Sequence, residues 1–262
     1  MIADTLGAGM DVRSRTDQAV ASGRYPPAPD GMTLYLVGDI HGRLDLLQLA
    51  HHRIDEDKAR RGGGPAREIY LGDYIDRGPS SAGVISQLLA RAAHVEITFL
   101  RGNHEQMLLD VLNGHDCLED WLHVGGTATL LSYGVAPRLL TRLVSPAAIR
   151  RQLEAALPQG HRGFYESTQL YARLGPYLAV HAGLRPGLPL EAQTPMDLMS
   201  IRREFLQFTG DLGFIVVHGH TPAMAPELRP NRINIDTGAF ATNRLTSLRI
   251  DADGAHIMQT TL

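Results

Sequence analysis

The sequence predicts an α/β fold, and three features of the chain predict it. In the first half, three short apolar runs each end in a Gly-Asp or Gly-Asn phrase and lead into a helix-periodic segment. Residues 115–174 lack such runs and read as mostly helical. Further strand-like runs then follow one another closely, without long helices between them. Strand–helix–strand repeats favour parallel β-α-β units with right-handed crossovers. Closely spaced later strands favour a second, largely antiparallel or mixed sheet.

Taken in order, residues 1–30 end in YPPAPDG and carry no clear periodicity, which predicts a loose or peripheral lead-in to a single domain over 31–262. TLYLVGD (33–39) is the first strand, followed by Leu47, Ala50 and Ile54 at helical spacing. EIYLGD (68–73) repeats the pattern. Pro79 suits the first turn of the next helix, with Ile85, Leu88, Leu89 and Ala92 as one apolar face. VEITFLRGN (95–103) is a third strand, and EQMLLDVLNG is a helix that Gly114 stops. The helical insertion at 115–174 contains a helix opened by Ser145-Pro146. YLAVHAG (177–183), FIVVHGH (214–220), RINIDTG (232–238), LTSLRID (245–251) and AHIMQT supply the second sheet.

Composition excludes several functions. The 262 residues carry 25 Lys and Arg against 28 Asp and Glu, a net charge of -3, so no global field recruits nucleic acid. No apolar stretch approaches the roughly 20 residues that cross a bilayer, which predicts no membrane partner. The first thirty residues contain Asp4, Asp11 and Asp17 and no long apolar run, which argues against a signal peptide. The one cysteine, Cys117, rules out an internal disulfide and a cysteine-rich zinc site, and is expected to be a small buried apolar group. A cytoplasmic location is the resulting expectation.

Five strand ends carry metal-type side chains flanked by glycine: Asp39 and His41 in GDIHG, Asp73 in GDYIDRG, Asn103 in RGNHE, His181 in VHAG and His220 in HGHT. Loops at the carboxyl ends of strands converge on one crevice, so residues far apart in sequence can meet there. Oxygen and imidazole donors without a thiolate suit two divalent ions such as Mn, Fe or Zn. Two such ions bridged by a carboxylate serve phosphoester hydrolysis by an activated hydroxide. His218 shares a strand face with His220 and is expected merely to pack nearby.

These phrases, with RGNHEQM, GHTPA and IDTGA, resemble in order and spacing the phosphoprotein phosphatase branch of the calcineurin-like metallophosphoesterases, and within it the bacterial and bacteriophage serine/threonine phosphatases. The resemblance implies two mixed β-sheets flanked by helices. It implies that Asp39 and His41 hold a first metal, that Asp73 bridges, and that Asn103, His181 and His220 complete the second, with Mn the favoured ion. Asp76 and His104 resemble the family's Asp–His pair, His104 being the general acid. Arg77, Asn103 and Arg202 would bind the substrate phosphate, Arg202 being preferred over its neighbour Arg203. The implied substrate is phosphoserine or phosphothreonine, with phosphotyrosine a further candidate. A sibling family hydrolyses diadenosine tetraphosphate symmetrically. It usually has Ala-Arg-Gly where this chain has Asp76-Arg77-Gly78, and Asp where this chain has Glu105. A metal-bound scaffold that recognises phosphorylated partners without catalysis is the third reading. The chain lacks the Ser-Ala-Pro-Asn-Tyr phrase of the eukaryotic enzymes, so regulatory subunits of that kind are not implied.

Overall fold

The structure is a computed structural model that describes residues 18–19, 25–135 and 145–262. Most of the expected lead-in, and residues 136–144 of the insertion, lie outside these residues. Three β-α units open the domain: β2 (Thr33–Val37) with α1 (Leu44–Arg60), β3 (Ala66–Tyr70) with α2 (Ser81–Ala92), and β4 (Ile97–Phe99) with α3 (Asn103–Leu112). The three strands pair in parallel, as strand–helix alternation requires. A two-residue strand, β1 (Gln18–Ala19), precedes them.

Within 115–174 lie α4 (Leu118–Trp121), a π-helical turn over Leu122–Gly126, α5 (Thr127–Ser132), α6 (Pro146–Ala156) and α7 (His161–Ser167). Ser145 caps α6 through its hydroxyl, which accepts from the Ala148 N–H. The stretch does not end as helix. Residues Tyr171–Leu174 form β5, whose buried and exposed residues alternate, and pair with β6 (Tyr177–Val180) across a tight Gly175-Pro176 turn.

The second sheet has the order β5-β6-β7-β9-β8, with β7 (Ile215–His218), β8 (Glu227–Leu228) and β9 (Arg232–Asn234). Short helices α8 (Pro195–Ser200) and α9 (Arg203–Leu206) lie between β6 and β7, and α10 (Ala239–Thr242) follows β9. The last two strands, β10 (Arg244–Asp251) and β11 (Gly254–Thr261), were expected here but belong to the first sheet, whose order is β1-β11-β10-β2-β3-β4. Their alternating pattern specifies strands without specifying a partner. Pairing β10 antiparallel to β2 buries Leu248 and Ile250 beside Leu34 and Leu36.

Period-two alternation explains the layering. From β2, Leu34 and Leu36 face the second sheet, meeting Ala179, Val217 and Ile233, while Tyr35 and Val37 face the helices. From β6, Ala179 points inward, and Leu178 and Val180 point out against Leu198 and Phe205. The result is the helix–sheet–sheet–helix sandwich. Helix α1 buries Leu46, Leu47, Ala50 and Ile54, and α2 buries Val84, Ile85 and Leu88. Ala92, assigned to that apolar face from sequence, is exposed at the end of α2. Cys117 is only half-buried, where α4 begins.

On β3, Glu68 is fully buried and bonded to Lys58 at 2.6 Å and to Arg91 at 2.7 Å. Burial opposes ionisation, but the two cations win and lower its pKa from 4.5 to about 2. The stability this supplies is fully present above pH 4.5 and is lost as pH falls through about 2. In Glu68→Gln, urea titrations between those limits should show a flatter dependence of stability on pH. An unchanged slope would mean another carboxylate carries the acid transition.

Candidate metal centre and active site

Six parallel strands, β2, β3, β4, β6, β7 and β9, run in two sheets to the same end of the molecule, and each is followed by a buried or glycine-flanked polar residue. Asp39 and His41 follow β2, Asp73 follows β3, His181 follows β6 and His220 follows β7. Asn103 opens α3 rather than closing the long strand drawn from sequence, because the chain leaves β4 at Phe99 and turns at Gly102. His41, Asp73, Asp76, Arg77 and His220 all hold left-handed φ angles between 46° and 70°. Non-glycine residues in that region carry strain of order 1–3 kcal/mol each, and such strain clusters at sites where side chains must be aimed.

The aim is convergent. Asp73 directs one carboxylate oxygen, Oδ2, to His41 Nε2 at 3.5 Å and the other, Oδ1, to His181 Nε2 at 3.3 Å. Two oxygens facing two separate imidazoles is the arrangement of a carboxylate shared by two ions. His41 Nδ1 sits 2.8 Å from the Ile75 carbonyl and His181 Nδ1 sits 2.8 Å from the Leu71 carbonyl. Donating Nδ1–H to a backbone carbonyl leaves Nε2 turned to the centre as a ligand. Asn103 Oδ1 lies 3.3 Å from His181 Nε2. Asp39 Oδ2 accepts from the His220 backbone N–H at 2.9 Å, which ties the first loop to the last. Only glycine fits at 219, since a Cβ there would overlap the Asp39 carboxylate.

Two atoms of this set, Asp39 Oδ1 and His220 Nε2, are buried with no hydrogen-bond partner. Orphaned buried polar atoms of this kind demand a ligand. Electrostatics demands a cation. Burial together with Asp236 and Asp73 pushes the Asp39 carboxyl well above its usual range. Burial holds His41 and His220 neutral, each at a pKa of about 3, in the form that offers a lone pair to a metal. Possible ligand atoms of His41, Asp73 and His104, and separately of Asp73, His181 and His220, lie within 4.8 Å of one another. The donor set therefore fits two divalent ions with Asp73 between them.

Beside this centre His104 is buried, its Nδ1 2.6 Å from Asp76 Oδ2 and its Nε2 3.8 Å from Asp73 Oδ2. Burial lowers its pKa, but Asp73 and Asp76 outweigh burial and raise it above the ordinary 6.5. The Arg77 guanidinium spans the mouth, Nη1 2.8 Å from His41 Nε2 and Nη2 3.1 Å from His104 Nε2. Arg202 reaches Thr221 Oγ1 at 3.5 Å, next to His220, while Arg203 turns back along its own helix to Gln207. Arg202 is thus the arginine on the metal side. His218 is fully buried, edge-on to Phe205 at 4.9 Å, and serves packing.

The comparisons with known proteins bear on this geometry. The family profile of calcineurin-like phosphoesterases matches residues 32–233, a span that contains every metal-type residue named above. The chain belongs to the calcineurin-like phosphoesterase family. Among curated relatives, the bis(5'-nucleosyl)-tetraphosphatase PrpE (asymmetrical) of Bacillus subtilis is 25% identical over 244 residues, covering 83% of this chain and 91% of that protein. Among solved structures, a candidate diadenosine tetraphosphatase superposes with a TM-score of 0.61 at 18% identity, covering 90% of this chain and 96% of the other. A cold-active protein tyrosine phosphatase superposes with a TM-score of 0.56 at 19% identity, covering 97% of this chain and 87% of the other. At such identities the superpositions establish the fold of this phosphoesterase. Among the described residues, no helix is long and apolar enough to cross a membrane.

Four side chains at this phosphoesterase centre were not singled out from sequence. Asp236, in IDTGA, is buried facing Asp39, and burial raises its pKa to about 6. Phe240, directly after that phrase, stands edge-on to His41 at 5.4 Å with the Arg77 guanidinium 4.7 Å over its ring. Trp121 and Thr129, from the insertion, bond Asp76. Glu105, read from sequence as a marker between sibling families, is fully buried and accepts from the backbone N–H groups of Asp73, Tyr74 and Gly102 at 2.8–3.0 Å. It caps α3 and fixes the Asp73 loop at once. A glutamate three residues after a glycine turn was the readable signal for that cap.

Proposed function

We propose that this phosphoesterase hydrolyses phosphomonoesters of the phosphoserine and phosphothreonine type, with His104 as general acid. The observation that carries the reading is the buried His104–Asp76 pair, 2.6 Å apart and beside the bridging carboxylate. Hydrolysis of an alkyl phosphoester expels an alkoxide, a poor leaving group that needs a proton as the P–O bond breaks. Cleavage of a polyphosphate expels a nucleotide phosphate, which leaves as a stable anion and needs no such proton. A histidine oriented by a carboxylate through Nδ1, with Nε2 facing the centre, is equipment for the first task.

Asp39, His41, Asp73, Asn103, His181 and His220 would hold the two divalent ions, with Mn the ion of first choice. The ions would supply Lewis-acid activation of water at neutral pH. Arg77 and Arg202 would clamp phosphate oxygens, a planar guanidinium being suited to a bidentate grip. Phe240 holds the Arg77 guanidinium against the rim through its ring face. Asn103 would contribute an amide to the same phosphate. A phosphorylated protein or small phosphoester would then be the partner, in a cytoplasmic setting.

A second reading is asymmetrical hydrolysis of a dinucleoside tetraphosphate, favoured by the PrpE relatives and their coverage of most of this chain. Their name specifies asymmetrical cleavage, so it does not support the symmetrical alternative raised from sequence. Purified protein loaded with Mn should release phosphate from a phosphoserine peptide with a higher kcat/KM than it cleaves diadenosine tetraphosphate. Preference for the dinucleotide would overturn the first reading in favour of the second. Binding of the phosphopeptide without turnover of either substrate would indicate the scaffold.

A further inference from the structure

The insertion, which carries no recognisable motif, delivers two hydrogen-bond donors to the carboxylate behind the acid. Trp121, at the end of α4, is fully buried and donates Nε1–H to Asp76 Oδ2 at 2.8 Å. Thr129, on α5, donates its hydroxyl to Asp76 Oδ1 at 2.6 Å and accepts the Asp76 N–H at 2.9 Å. Ser81, from α2, lies 2.9 Å from the Thr129 hydroxyl and 3.1 Å from the Asp76 N–H. Each Asp76 oxygen therefore has a donor from the insertion, and Oδ2 also faces His104 Nδ1. The carboxylate has no freedom to rotate about its χ2 axis.

The π-helical turn between these two residues shapes both ends of the arrangement. π-Turns within helices are frequent at functional sites. Here the turn brings the Gly125 carbonyl to 3.2 Å from the Arg77 N–H and the Val124 carbonyl to 3.4 Å from Arg77 Nε. Gly126 lies flat on the indole of Trp121, where a Cβ would come within 2.5 Å of the ring. The turn departs from regular helix at Gly125, whose φ is 124°, and its carbonyls seat the Asp76-Arg77 backbone, whose φ angles are 70° and 66°.

We infer that Trp121 and Thr129 are positioning residues for proton delivery: they lock the Asp76 carboxylate so that His104 presents its proton to the leaving oxygen. This rests on the reading of His104 as general acid. Neither residue lies among the metal-type side chains of the centre, and both act through Asp76. The contribution therefore scales with how much the leaving group needs a proton. Removing a donor should depress turnover of poor leaving groups more than good ones, with KM and metal content unchanged.

The test compares the Mn-loaded protein with Trp121→Phe, which keeps one aromatic ring beside Gly126 and loses the N–H together with part of the indole's volume. Turnover of an alkyl phosphate should fall about 10-fold, in keeping with an outer hydrogen-bond partner. Turnover of 4-nitrophenyl phosphate, whose phenolate leaves readily, should fall about 2-fold or less. Thr129→Val should show the same split, and Thr129→Ser should restore most of what Thr129→Val loses. Equal losses on both substrates, or a loss confined to KM, would overturn the inference. Repeating Trp121→Phe in a His104→Asn background separates the two claims. If His104→Asn costs nothing, the acid reading itself fails. If His104→Asn is costly and Trp121→Phe costs as much again in that background, positioning through His104 is wrong.

Discussion

Replacing His104 by Asn lowers turnover of a phosphoserine peptide by about 10²–10⁴, the contribution expected of a positioned general acid. The substitution removes the imidazole that joins Asp76 to the centre while leaving the residues around Asp73 in place. Metal content, measured on the purified variant, should equal that of wild type. Geometry makes this outcome decisive, because His104 also lies within ligand distance of His41 and Asp73. Loss of one ion in the variant would show that the imidazole is a ligand. The hydrogen bond between Nδ1 and Asp76 orients Nε2 for a metal and for a proton alike, so the metal content of the variant is what decides between the two roles. The effect should shrink with substrates whose leaving group departs as a stable anion, and a flat response across leaving groups would remove the acid role.

The site was legible in the sequence to the extent that its signals are local. Asp39, His41, Asp73, Asn103, His181 and His220 each sit within a few residues of a strand end and a glycine, and strand topology alone carries such residues to one edge. Asp76, Arg77 and His104 share those phrases. Trp121 and Thr129 could not be read this way. Their partner Asp76 lies 45 and 53 residues earlier, and their surroundings look like ordinary amphipathic helix. Asp236 lies in the phrase IDTGA that resembled the family and Phe240 directly after it, yet Asp236 has no metal-type neighbour at a recognisable spacing and Phe240 is not a ligand type. For the fold, the first three β-α units were legible because period and punctuation agree. The sheet membership of β10 and β11 was not, since alternation identifies a strand and its faces but leaves the partner to packing.

Asp73→Asn is expected to dismantle the metal centre while sparing the fold. Asn keeps one oxygen, enough to accept the His104 backbone N–H that Asp73 Oδ1 accepts at 3.2 Å. It replaces the other with an amide nitrogen that cannot coordinate a cation. A side chain with one donor oxygen cannot serve both the His41 and the His181 sides, 3.5 Å and 3.3 Å away in the wild type. Loss of a partner that only orients a ligand weakens metal binding by roughly 10–100-fold, so loss of the shared ligand should weaken it by at least about 100-fold. Hydrolysis should fall with it. Thermal unfolding gives an independent measure. Mn at about 100 times its dissociation constant stabilises the protein that binds it by about 2.7 kcal/mol, so wild type should melt higher with Mn than without, and Asp73→Asn should not. Against burial, His181, His104 and His41 in the metal-free protein hold the Asp73 carboxyl well below its usual range. The metal-free variant should therefore melt lower than metal-free wild type, and the rise on adding Mn to each protein is the readout of binding. If the variant binds two ions with wild-type affinity, Asp73 does not bridge them, and the two clusters that meet at its carboxylate must be held together by another group.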